Sequence, residues 1–249
     1  MGTLAAMAQD GIREIGLPGG GALRVRGGGE GPSLLLLGGS THRDGAGTWS
    51  ATSEWLARRI SREHPDWSVA EVRYRFGSWR RLVAATEDAH AAMLALEGMG
   101  RGAEALVGFS LGGRVAVALA GAPTVRTVVG LAAWLPDGVD LRPLMGRHLH
   151  LAHGTLDRAL PGVPGVSPRI SEAAAARAEA LGVPTELTMI AGGLHGVAAR
   201  GRWSGLVPLP RAGRWADVVM DAVADDLLPA RREPLPGGVV RGADGLALG

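Results

Sequence analysis

The sequence predicts an α/β protein, a mostly parallel sheet covered on both faces by helices. Short apolar runs alternate along the chain with longer segments of helical periodicity. The runs are apolar at successive positions, as in Leu34–Leu37, so they suit strands buried on both faces. Glycines bound the leucine run, with Gly38-Gly39 directly after it, which places it as a central strand.

The elements follow in order. Ile12–Leu17 and Ala22–Arg26 alternate and are joined by Pro18-Gly19-Gly20-Gly21, so they read as an antiparallel hairpin. Ser33–Leu37 is the buried strand. Thr48–Glu63 reads as a helix, with Trp49, Leu56 and Ile60 among its apolar positions. Ser68–Tyr74 is a strand. Trp79–Leu96 is a helix, on the spacing of Leu82, Val83, Ala89, Met93 and Leu96. Then come strand Ala105–Phe109, helix Gly113–Ala120, strands Thr127–Ala132 and Leu149–Ala152, helix Ser171–Leu181, strand Thr185–Ile190 and helix Ala212–Leu227. The connection between Ala132 and Leu149 is too short for an inserted helical lid. Residues 1–228 are expected to form one domain. Residues 229–249 are rich in Pro, Gly and Arg, lack apolar periodicity, and are expected to form a flexible tail.

Composition narrows the function. The chain has 249 residues, 46% hydrophobic and 20% charged, enough for one α/β domain burying roughly 70–75% of its unfolded surface. Its pI of about 10.2 does not argue for nucleic acid. The net charge is only +2, and all 26 basic residues other than histidine are arginine. With no Lys, no Cys and one Tyr, little titrates between His and Arg, and a small excess lifts the pI. No run of five basic residues occurs. The absence of cysteine excludes disulfides, thiolate catalysis and Cys-ligated zinc. The first ten residues lack a basic region and a long apolar core, and no apolar run approaches bilayer length. The expectation is a cytoplasmic protein with neither membrane nor nucleic-acid partners.

Three short stretches carry chemistry. Gly108-Phe109-Ser110-Leu111-Gly112 follows an apolar strand and opens a helix, which is the context of a nucleophile elbow. Side chains two residues before and after the serine would collide in so sharp a turn, and Gly108 and Gly112 remove them. The hydroxyl then stands at a helix N-terminus, where developing negative charge is favoured. The bland alternative makes Ser110 a helix cap. A serine needs a base and an orienting acid. Asp157 lies just past a strand end in Ala152-His153-Gly154-Thr155-Leu156-Asp157, and His195 lies past another in Gly192-Gly193-Leu194-His195-Gly196. Asp137, after the preceding strand, is the rival acid. Ser110 would attack a carbonyl, His195 would carry the proton, and Asp157 would orient the imidazole. The oxyanion donors would be the Leu111 N–H and an N–H from Gly39 or Ser40. His153 is expected to pack the turn under Asp157. His148 and His150 alternate on a strand with no carboxylate at metal-ligand spacing, so no metal site is expected.

Taken together, Leu34–Ser40, Gly108–Gly113, Ala152–Asp157 and Gly192–Gly196 resemble the α/β-hydrolase superfamily, in particular its small, lidless dienelactone-hydrolase-like or carboxylesterase-like members. The resemblance covers roughly residues 12–228. It implies an eight-stranded, mostly parallel sheet and a cofactor-free serine hydrolase acting on an ester, thioester or lactone. Relatives on this fold also catalyse cyclisation, acyl transfer or C–C cleavage, and a binding protein on an idle fold is a third alternative. One departure stands out: many relatives carry histidine before the oxyanion glycines, where this chain has Leu37, and His42 would serve nearby. Trp49, Trp79, Trp134 and Trp203 fall near strand ends, and with His42 they suggest a pocket for an apolar or aromatic small molecule.

Overall fold

A computed structural model of the chain describes residues 6–7, 11–40, 45–158, 165–201 and 205–232. Its strands are β1 (Ala6–Met7), β2 (Arg13–Gly16), β3 (Ala22–Arg26), β4 (Ser33–Leu37), β5 (Ser68–Arg73), β6 (Ala105–Phe109), β7 (Thr127–Leu131), β8 (His148–Gly154) and β9 (Thr185–Ile190). They form one sheet in the order β1-β2-β3-β5-β4-β6-β7-β8-β9. The eight expected strands are β2 to β9, and the two-residue β1 adds a ninth at the edge. β1, β2 and β3 pair antiparallel, as does β3 with β5; every pairing from β5 through β9 is parallel.

The helices are α1 (Ala51–Glu63), α2 (Leu82–Gly98), α3 (Leu111–Leu119), α4 (Pro168–Ala180) and α5 (Ala212–Arg232). They divide between the two faces. Leu35, Leu37, Leu106, Val128 and Leu151 pack toward α2, α3 and α4 in one core cluster. Leu34, Leu36, Val107, Val129 and Leu131 pack toward α1 and α5 in the other. Successive strand side chains point to opposite faces, so four consecutive leucines fill both cores. Each leucine contributes about 1.5–3 kcal/mol over an exposed position.

Element ends differ from expectation where a side chain intervenes. α1 begins at Ala51, not Thr48, because Ser50 caps it by accepting from Ser53 N at 3.3 Å. Trp79–Arg81 form a 3-10 turn ahead of α2, with Ser78 Oγ accepting from Arg80 N at 3.2 Å. α5 runs past the expected Leu227 to Arg232, with Pro229 inside it; the rest of the expected tail lies outside the described residues. A hairpin, β10 (Ala198–Gly201) with β11 (Gly205–Pro208), was not expected. The β7–β8 connection holds only the 3-10 turn Arg142–Leu144, with no lid. Among the described residues no helix is long and apolar enough to cross a membrane.

Candidate active site

The sheet's connectivity reverses direction between β4 and β6, since β4 leads outward to β5 and the chain then returns to β6 on the other side. Ligand sites of open parallel sheets lie at the carboxyl ends of strands at such a point. Gly39 and Ser110 follow the carboxyl ends of those two strands.

Ser110 has φ 53° and ψ −114°, a conformation that costs a non-glycine residue about 1–3 kcal/mol. The surroundings hold it there. Its N–H donates to Leu131 O at 3.0 Å, and its carbonyl accepts from Gly113 N and Trp134 N, each at 3.1 Å. The glycines act as expected at one position and differently at the other. A Cβ on Gly108 would stand 2.4 Å from Gly112 O, across the turn. A Cβ on Gly112 would stand 2.0 Å from Leu37 O and 2.7 Å from Gly38 O, so its crowding comes from the end of β4. Ser110 occupies the N-cap position of α3, but its side chain makes no capping hydrogen bond.

The loops after β8 and β9 are stitched together. Thr155 N donates to Ile190 O and Leu156 N to Gly193 O, both at 3.0 Å, while Thr155 Oγ1 accepts from Gly192 N at 2.9 Å. A Cβ on Gly154 would meet the Gly193 backbone at 2.4 Å, so the two loops touch backbone to backbone. That contact brings Asp157 Oδ2 to 2.7 Å from His195 Nδ1. Nδ1 therefore carries a proton and donates it, leaving Nε2 as the basic nitrogen. The rival Asp137 is 92% exposed and lies 3.4 Å from Arg177.

Asp157 is buried, and three groups donate to it. His195 and His153 both meet Oδ2, the latter through Nε2 at 3.1 Å, and Val166 N donates to Oδ1 at 2.9 Å. Burial pushes this carboxyl up, but the hydrogen bonds from His153 and His195 outweigh burial and hold it below the usual carboxylate range. His153 is fully buried. Its Nε2 also faces Val166 O at 2.9 Å, and two acceptors require that Nε2 carry the proton. Its Nδ1 then accepts from the Ser171 hydroxyl at 2.7 Å.

Ser110 Oγ and His195 Nε2 make no hydrogen bond among the described residues. A Cβ on Gly39 would stand 3.3 Å from Ser110 Cβ, so Gly39 borders the serine. Leu111 opens α3, and its N–H has no helical acceptor. Ser40 Oγ is buried without a partner among the described residues. A groove of about 300 Å³ runs beside the serine, lined by Gly39, Ser40, Trp49, Phe109, Ala198 and Arg200. Arg200 is tied to α1 through Glu54 at 2.9 Å and Trp49 O at 3.2 Å, so the β10–β11 hairpin forms one wall. Of the expected pocket residues, Trp79 and Trp134 pack edge to face at 4.8 Å, and Trp134 N donates to Ser110 O at 3.1 Å. The groove's aromatic residues are Trp49, one of the four tryptophans expected there, and Phe109. His42 and Trp203 lie outside the described residues. Sequence reasoning missed Ser171, Val166 and Arg200, whose partners are distant in the chain.

His148 and His150, which have no carboxylate at metal-ligand spacing in the sequence, meet two in the fold. Asp226 of α5 lies 2.9 Å from each, and Glu186 of β9 lies 3.3 Å from His150. Both partners arrive by tertiary packing, not by local spacing.

Known structures share this fold. A homologue of α/β serine hydrolases from Coxiella burnetii is 15% identical, matching 90% of this chain and 99% of its own at a TM-score of 0.60. An α/β serine hydrolase without lid from Xanthomonas campestris is 15% identical over 90% and 94% of the two chains, with a TM-score of 0.58. A thermophilic esterase from Thermogutta terrifontis, also 15% identical, matches 88% and 90% at a TM-score of 0.59. No family model matches the sequence, and no curated protein matches it. The chain has the lidless α/β-hydrolase fold.

Proposed function

We propose that the chain is a serine hydrolase that cleaves an ester, thioester or lactone through an acyl-enzyme. The observation that supports this best is the 2.7 Å contact between Asp157 and His195 Nδ1, beside a serine held at φ 53°. Ser110 Oγ attacks the carbonyl carbon and passes its proton to His195 Nε2. His195 returns that proton to the leaving group, and Asp157 stabilises the imidazolium. Water then attacks the acyl-enzyme by the same relay. The oxyanion is held by the N–H groups of Leu111 and of Gly39 or Ser40, each worth about 3–4 kcal/mol in such sites. Free catalytic groups often align only when substrate binds, which accounts for the absent hydrogen bond between Ser110 Oγ and His195 Nε2. Trp49 and Phe109 suit an apolar or aromatic acyl group, and the residues of this mechanism require no cofactor.

A fluorophosphonate probe tests the nucleophile. Wild type is labelled at Ser110 and Ser110→Ala is not. Full turnover of the same ester by Ser110→Ala would overturn the acyl-enzyme.

A further inference from the structure

We propose that His148, His150 and Asp226 bind one divalent transition-metal ion of the zinc type, at the end of the sheet opposite Ser110. His148 opens β8 and pairs in register with Thr127 at the start of β7. Ser110 lies beyond the other end of the neighbouring parallel strand, so the two sites are separated by the length of the sheet. His148 and His150 are two apart on one strand and present both imidazoles to the same face. Asp226 reaches that face from α5. One donor atom from each of the three lies within 4.8 Å of the others.

The donor set has the outer contacts of a metal site. Asp226 is only 8% exposed, and its Oδ2 accepts from Thr127 Oγ1 at 2.8 Å, which fixes the carboxylate. His150 turns Nε2 toward Asp226 and Nδ1 toward Glu186 at 3.3 Å. A ligating histidine held by a carboxylate on its other nitrogen is the usual arrangement around zinc. His148, 53% exposed, leaves a side open for a water as fourth ligand.

The donor chemistry suits a single ion. One divalent ion would satisfy two neutral imidazoles and the Asp226 carboxylate together. Zinc bonds of about 2.0–2.1 Å at the tetrahedral angle put ligand atoms roughly 3.3 Å apart. His148 Nδ1 faces Asp226 Oδ1 and His150 Nε2 faces Asp226 Oδ2, each at 2.9 Å, so both imidazoles already converge on one carboxylate. The two imidazole donors suit zinc, copper or nickel more than calcium or magnesium. A bound ion would clip α5 to β8, with Thr127 and Glu186 of the flanking strands buttressing it.

The test uses the untagged full chain, stripped with EDTA, in zinc titration calorimetry and thermal melting. Wild type binds one Zn²⁺ per chain, and zinc raises its melting temperature. His148→Ala, a change at a half-exposed side chain, binds at least tenfold more weakly and loses the zinc-dependent shift. His195→Ala keeps both. The proposal is overturned if wild type takes up no stoichiometric zinc, if His148→Ala binds as tightly as wild type, or if His195→Ala is the variant that loses binding.

Discussion

His153 and Asp157 meet at 3.1 Å, on the same carboxylate oxygen that receives His195. Both histidines donate to Oδ2, so the carboxylate is held from beneath by a buried imidazole and presented upward to a partly exposed one. His153 touches no reacting atom and acts as a positioning residue. Replacing it with alanine leaves Val166 O and Ser171 Oγ without that partner in a dry site, at about 1–3 kcal/mol each. His153→Gln keeps a donor. The expected outcome is a fall in kcat of roughly tenfold or more for His153→Ala, about 1.4 kcal/mol in the barrier. The acid limb of its kcat/KM profile moves to higher pH, and His153→Gln recovers part of both. An unchanged pH profile would assign His153 to packing alone.

Asp157 and Asp137 separate in one comparison. In serine triads, Asp→Asn at the orienting acid lowers kcat by about 10⁴. Asp157→Asn should fall in that range on a chromogenic ester. Asp137→Asn, at a side chain 92% exposed, should stay within about twofold, as surface substitutions do. The reverse result would move the acid to Asp137.

Gly112 admits no side chain. The atoms nearest an added Cβ, Leu37 O at 2.0 Å and Gly38 O at 2.7 Å, are backbone and cannot swing away. Gly112→Ala should cost about 1–3 kcal/mol or more, or roughly 2–4 °C in Tm per kcal/mol for a chain of this size. Calorimetry checks this. Gly98→Ala, with open space around the added carbon, should leave Tm level or higher.

Acid sensitivity follows from Asp157. Its carboxyl is held below the usual range in the fold and returns to about 3.9 on unfolding. A depressed acid contributes stability that is present above its unfolded pKa and is lost as pH falls through its folded pKa. Resistance to urea should therefore fall as pH drops below about 4. Asp157→Asn should show a shallower fall, and an equal slope in the two proteins would remove Asp157 from the acid transition.

The parts of the site readable in the sequence are local ones. The glycines flanking Ser110, the strand ends before Asp157 and His195, and the leucine strand each declare themselves within a few residues. The mostly parallel sheet with helices on both faces follows from the alternation of elements. Ser171 supports His153 from 18 residues away and Asp226 meets His150 from 76 residues away, so neither leaves a spacing to read. The β10–β11 hairpin escaped for a related reason. Its strands are four residues each, and what fixes them is Thr52 and Glu54 on α1, with Val197 N donating to Thr52 Oγ1 at 3.2 Å.

The leucine strand has a further consequence. A strand with one wet face is locked in register, because slipping one residue would turn its apolar side to water. β4 has no wet face. Leu34–Leu37 would be equally content one step along, so hydrophobicity cannot fix where Gly39 stops relative to Ser110. That alignment is secured at the strand's far end, where Ser33 N donates to Glu104 Oε2 at 3.1 Å and Ser33 Oγ to Arg101 O at 3.3 Å. The strand that delivers Gly39 beside Ser110 is thus tied down by a polar anchor about 20 Å away along it.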